Sequence, residues 1–152
     1  SGALYWNDFL KMAREAGFKD VRKVTSRPLA VDNRELQDRL GNIRFESTTY
    51  RLFKSEKMEE DCEDYGQAVH YLGTVERFPD SFQLDDGHQF EKGSIYPVCG
   101  NTYLMLEESR FSDHVEFYGN FKTHYGLFPD CGTTELSSPV SGGSSNPEPS
   151  CC

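Results

Sequence analysis

The first 17 residues, SGALYWNDFLKMAREAG, carry an apolar stripe at helical spacing. Tyr5, Phe9, Met12 and Ala16 recur three and four residues apart, with Trp6, Leu10 and Ala13 widening the stripe. Asn7 or Asp8 stands where an N-cap is wanted, and Gly17 stands where a left-handed turn would end the helix. A helix this short does not hold itself in water. Each large side chain on its stripe stabilises by about 1.5 to 3 kcal/mol once buried, so the helix requires a sheet beneath it.

The sequence supplies strands to meet that requirement. Phe18 to Val31 carries Val21, Val24, Leu29 and Val31 and predicts a strand, with Pro28 weakening its middle or marking an edge. Asn33 is placed to cap a short helix, RELQDRL, that Gly41 stops. The run IRFESTTYRLFK follows, rich in Thr and aromatic residues, and is the clearest strand signal in the chain. The order over residues 1–54 is therefore helix, strand, short helix, strand.

Residues 55–64 begin SEKMEED and read as an acidic linker. From 65 to 132, short aromatic and β-branched runs alternate with turn residues: QAVHYLGTV, SFQLDD, QFEKGSIYPV, NTYLML and HVEFYGNF. They predict a small, mostly antiparallel β domain, with EESRFSD as a helical turn or loop. Residues 133–152 are dominated by Ser, Pro and Gly and hold almost nothing to bury, so a disordered tail is expected. The fold class read from these runs is α+β.

Charge and cysteine usage narrow the function. The formal charge of −9 argues against nucleic acid and anionic membrane surfaces, which are matched by clustered Lys and Arg. No apolar run approaches the roughly 20 residues of a membrane-spanning helix, and a cytoplasmic protein is expected. Residue 1 is Ser, so the sequence is expected to be part of something longer. Five cysteines, Cys62, Cys99, Cys131, Cys151 and Cys152, form an odd set that reads as reduced thiols rather than as a disulfide framework.

Cys62 and Cys99 belong to no Cys-x-x-Cys pair and read as structural residues, and the acidic neighbours of Cys62 disfavour its thiolate. Cys131 lies where the β domain meets the tail. Cys151 and Cys152 are adjacent thiols on a flexible segment and are able to chelate a soft ion without straining a fold. The four histidines lack the spacing of a metal site and read as surface or strand residues. No Gly-x-Gly-x-x-Gly follows a strand, and the glycines of GNTY and YGNF read as lying within the β region with no helix after them.

The stretches SGALYW, AGF, ELQDRLGNIRFESTTYRLFK, CEDYGQAVHYLGT, FEKGSIYPVCGNTYLML and THYGLFPDCG together resemble the C-terminal portion of the ArsM-type arsenite methyltransferases, over nearly all of residues 1–132. The resemblance implies that residues 1–54 are the closing elements of a class I methyltransferase α/β sheet, followed by an accessory β domain. It implies an enzyme that moves methyl groups from S-adenosylmethionine to thiol-bound As(III), with arsenite and thiol reductants as partners. It also implies a catalytic domain upstream that carries the cofactor and the main arsenic thiols, one of them just before SGALYW. Gly2 and Tyr5 would lie near that thiol. No residue here matches a catalytic or cofactor-binding position, so the chain alone is expected to be inactive. Cys131, Cys151 and Cys152 are the candidate As(III) thiols, and a stand-alone soft-ion binding module without catalysis is the alternative.

Overall fold

The computed structural model describes residues 2–129. Helix α1 (Trp6–Glu15) leads into strand β1 (Val21–Leu29), helix α2 (Arg34–Leu40) and strand β2 (Phe45–Leu52). β1 and β2 form an antiparallel pair running from Val21↔Leu52 to Leu29↔Phe45, with a bulge between Lys23 and Thr25. Pro28 sits in this pair opposite Glu46, where a two-stranded sheet leaves every strand with a free edge. α2 begins and ends where the sequence places it. The Asn33 side chain accepts a hydrogen bond from the Leu36 N–H, and Gly41 closes the helix at φ +58°.

α1 corrects two expectations. Its N-cap position is Tyr5, with no side-chain cap, because Asn7 and Asp8 already lie inside the first turn. Only half of the apolar stripe is covered. Leu10 and Ala13 are buried against Val21, with Trp6, Phe9, Phe18 and Tyr50 packed around them, whereas Tyr5 and Met12 are exposed. The hairpin covers one side of the helix, and no described residue covers the other. Gly17 ends α1 at φ +92°, its N–H bonded to the Arg14 carbonyl.

The acidic segment 55–64 is tied down. Met58 is buried beside Leu104 and Met105, Lys19 Nζ donates to the Met58 carbonyl at 2.7 Å, and the Glu59 N–H donates to Asn101 Oδ1 at 2.9 Å. The segment ends in β3 (Glu63–Asp64), and beyond it come β4 (Gln67–Tyr71), β5 (Ser81–Gln83), β6 (Gln89–Glu91), β7 (Ile95–Val98), helix α3 (Gly100–Glu107), a 3-10 turn (Ser112–His114), β8 (Val115–Tyr118) and β9 (Gly126–Leu127). They make a three-stranded sheet in the order β7-β4-β8 and the pairs β5-β6 and β3-β9, all antiparallel. The architecture is mixed α+β with small antiparallel sheets.

The run NTYLML, expected as a strand, is instead the body of α3, so a helix does follow the glycine of GNTY. Residues 100–106 are all buried, giving an apolar run without the period of a half-exposed helix. The cap adds to the disguise, because the N-cap is Cys99, whose Sγ accepts from the Thr102 N–H at 3.5 Å. Around α3, Val69, Tyr71, Phe82, Leu84, Phe90, Val98 and Val115 close the main core.

One turn position tests how tightly this core is closed. Gly73 has φ +70°, and a Cβ there would stand 2.6 Å from the Pro79 carbonyl oxygen and 2.5 Å from Lys92 Cδ. Gly93 has φ +85° with open space around it. Gly73→Ala is therefore expected to destabilise by about 3 kcal/mol, and Gly93→Ala by about 1 kcal/mol. Urea unfolding of the two variants checks this; equal losses would remove the close approach at Gly73.

Candidate functional site

The densest polar constellation among the described residues forms where the hairpin meets the β unit. Alternation along β1 sends Val21 toward α1 and Arg22 to the opposite side. Arg22 is only 8% exposed. Its Nε and Nη2 donate to the two Asp20 carboxylate oxygens at 2.8 Å each, a bidentate fork, and its Nη1 donates to Asp85 Oδ2 at 3.0 Å. Nη2 also donates to Thr102 Oγ1 at 3.2 Å and lies 3.9 Å from Cys99 Sγ, at the start of α3. His88 Nδ1 completes the ring, 2.8 Å from Asp85 Oδ1 and 3.4 Å from Arg22 Nη1.

Electrostatics hold this cluster charged. Burial alone would favour loss of the Arg22 proton, but the charge and hydrogen bonds of Asp20 and the charge of Asp85 outweigh it and raise its pKa further. Burial would likewise raise the Asp85 pKa. The hydrogen bond and charge of His88, the Arg22 guanidinium and the Gly87 N–H overcome that and hold it below the ordinary carboxylate value. A depressed carboxylate contributes stability above its unfolded pKa of about 3.9 and loses it as pH falls through the folded value. At neutral pH Arg22 and Asp85 are therefore both charged.

The neighbouring strand reinforces the contact. Arg51, directly opposite Arg22 in the register, donates from Nη1 to the Gln83 and Leu84 carbonyls. Its guanidinium lies 5.2 Å from the Phe82 ring centre and 5.5 Å from that of Phe111. Lys23 pairs with Asp86 at 3.0 Å, and the Asp86 N–H donates to the Lys23 carbonyl. Asn101 joins the two sides from α3, its Nδ2 donating to Asp20 Oδ2 and to the Glu59 carbonyl.

The expected arsenic thiols Cys131, Cys151 and Cys152 lie outside the described residues. Cys99 is buried at the α3 cap, and the carbonyl of half-buried Cys62 accepts from the Phe128 N–H across the β3-β9 pair. The histidines pair with Glu116 (His70), Asp85 (His88), Thr74 (His114) and Glu63 (His124). No group of three or more His, Cys, Asp and Glu side chains among the described residues is arranged to hold a metal ion.

S-adenosylmethionine does not fit the glycine-led turn that the structure contains. A Cβ on Gly100 would stand 3.1 Å from the Tyr65 ring and 3.2 Å from the Phe121 ring, so these rings close the approach to α3. The Arg22 cluster itself was not foreseen from the sequence. Its one local sign is the Asp-x-Arg spacing of Asp20 and Arg22 at the head of β1, and that spacing gives no hint of Asp85, Cys99 or Thr102.

Comparison with known proteins agrees with this architecture. Residues 64–138 match the family described as the arsenite methyltransferase C-terminal domain. The arsenite methyltransferase of Aquipseudomonas alcaligenes is 50% identical over 131 residues, which cover 86% of this chain and 38% of that protein. The arsenite methyltransferase of Mus musculus is 37% identical over 113 residues, covering 73% of this chain and 29% of that protein. The crystal structure of an arsenic(III) S-adenosylmethionine methyltransferase from Chlamydomonas reinhardtii superposes with a TM-score of 0.80 at 41% identity, over 84% of this chain and 42% of that one. The chain thus spans well under half the length of the relatives it matches. It belongs to the arsenite methyltransferase family and corresponds to the C-terminal portion of that family's members.

Proposed function

We propose that this chain forms the C-terminal part of an enzyme that transfers methyl groups from S-adenosylmethionine to thiol-bound As(III). In this reading residues 1–54 close the sheet of a class I catalytic domain and wall its arsenic site, and residues 65–132 form an accessory β domain. The observation that carries it is the half-covered α1. Leu10 and Ala13 are buried on the hairpin, while Met12 within the helix remains 56% exposed and Leu4 and Tyr5, just before it, 57% and 69%. An apolar helix face of this kind fits a neighbouring layer, and in this reading the catalytic domain provides it.

The methyl donor belongs to that domain and supplies the electrophilic methyl group when bound. This chain's own part is to place α1, with Gly2 and Tyr5 at its head, beside the arsenic thiols. As(III) is soft and prefers thiolate ligands. Arsenous acid bonds to each thiol with loss of one water, so the arsenic remains trivalent and no oxidant is required. Cys151 and Cys152 act in this reading as capture thiols on the tail, with Cys131 as a further thiol where the β domain meets it. Thiol reductants and a reducing cytoplasm keep them able to bind.

Two measurements test the proposal. A longer protein that carries this sequence as its C-terminal part is expected to form methylated arsenic from arsenite, S-adenosylmethionine and a thiol, while the 152-residue chain alone forms none. Chromatography with mass detection reads both, and methylation by the chain alone, or its absence from the longer protein, overturns the assignment. For the tail, replacing Cys151 and Cys152 together by Ser is expected to weaken arsenite binding at least about tenfold, because a chelating pair is lost. Unchanged binding in a direct titration removes the capture role.

A further inference from the structure

We infer that the β unit acts as a clamp that sets the orientation of α1, and that Arg22 is the positioning residue through which it does so. The bearing on arsenic rests on the function proposed above, whereas the clamp itself rests on geometry alone. The β1-β2 hairpin is a plate with two faces. Val21 and Tyr50 stand on one, where Phe9 stacks on Tyr50 with ring centres 4.7 Å apart and Trp6 lies at 5.4 Å. Arg22 and Arg51 stand on the other, one residue further along each strand, and both enter the segment 82–88.

Successive residues of a strand point to opposite faces, so the side chain that carries α1 and the side chain locked into the β unit are covalent neighbours. Rotation of the β unit about this contact has to turn Val21 and, with it, α1. The lock is directional. The Arg22 guanidinium is planar and its partners lie on three elements: Asp20 before β1, Asp85 in the β5-β6 turn and Thr102 on α3. A greasy contact of equal area would tolerate sliding, and this one does not.

Two further ties close the loop around α1. Lys54 Nζ donates to the Ala16 carbonyl at the end of the helix, and Lys19 Nζ donates to the Met58 and Glu56 carbonyls in the strap that leads to the β unit. Phe53, one residue past β2, packs into both cores of the β unit. The end of α1, the start of β1 and the strap that follows β2 are therefore each tied by at least one of these contacts. In the proposed enzyme this ties the β unit to the arsenic site through α1.

The test uses Asp85→Asn, which keeps the size of the side chain and an acceptor while Asp20 still neutralises Arg22. In the 152-residue chain, amide hydrogen exchange across residues 6–24 is expected to become at least about tenfold faster, with β4, β7 and β8 keeping their protection. The combined replacement Asp20→Asn, Arg22→Met and Asp85→Leu removes all three charges of the cluster and guards against simple misfolding. It is expected to retain the thermal transition and still show faster exchange in α1. In the longer methyltransferase, Asp85→Asn is expected to raise KM for arsenite at least threefold, leaving S-adenosylmethionine affinity unchanged. A merely structural loss would instead lower the active fraction and reduce kcat alone.

If exchange in α1 stays as in the parent while the 85–88 turn loosens, Arg22 is a local brace and the clamp is overturned, whatever the enzyme does. Faster α1 exchange with an unchanged arsenite KM overturns the link to the arsenic site and leaves the mechanical coupling standing. A longer protein that transfers no methyl group to arsenic sinks the functional reading, while the exchange data still decide the clamp.

Discussion

Arg22 is the contact on which the arrangement of this protein depends. A guanidinium 8% exposed, held by two carboxylates, is costly to assemble, because the desolvation of three charges offsets much of their attraction. Replacing such a group by well-packed apolar side chains is often neutral, whereas deleting one partner typically costs about 3 to 5 kcal/mol. The net stabilisation from the Asp20–Arg22–Asp85 cluster is therefore modest, and what it supplies is geometry. The fork between Arg22 and Asp20 and the bond to Asp85 fix one relation between the head of β1 and the β5-β6 turn.

The need for such a fixed relation follows from how unevenly apolar residues are shared. The β unit closes its own core around α3, where Leu106 is fully buried and Val69, Val98 and Phe82 line the sheets and turns that surround it. Among the described residues, the apolar cluster of the hairpin layer has only Leu10, Ala13 and Val21 buried. A cluster that small cannot set an orientation by packing alone, since shape complementarity needs many interdigitated contacts. Directional hydrogen bonds do the job with few residues, and Arg51 adds a second set beside the first, its guanidinium over the Phe82 and Phe111 rings.

Local chemistry made part of this legible in the sequence. Asn33, Gly41 and Gly17 act where their backbone preferences place them, so α2 and the end of α1 could be bounded to the residue. β2 followed from its Thr and aromatic content. Apart from the cap of α1, the errors have one common cause, which is that burial was judged from pattern without knowing what lay opposite. Tyr5 and Met12 share the helical spacing of Leu10 and Ala13, but only a neighbouring layer decides which half of the stripe is covered. NTYLML reads as a strand because its β-branched and aromatic residues are favourable there, and because a helix buried on all sides shows no period. A Cys cap in place of Ser, Thr, Asp or Asn hid its start. The Arg22 cluster was illegible for a different reason, since its partners other than Asp20 are separated from Arg22 by 63 to 80 residues and only the folded chain unites them.

The position of α3 explains why the lock could form where it does. Helix N-termini present unsatisfied N–H groups and a positive end of the dipole, and a guanidinium placed there is opposed by like sign. The structure meets this by interposing acceptors. Cys99 Sγ takes the Thr102 N–H, Thr102 Oγ1 takes the Arg22 N–H, and the Asn101 side chain hands a hydrogen bond to Asp20, the carboxylate that holds the fork. Asp20 then faces the guanidinium and, through Asn101, the first turn of the helix, while Asp85 holds the guanidinium from the β5-β6 turn. The cap of the buried helix, the head of the hairpin and the acidic turn are thus solved by one set of side chains.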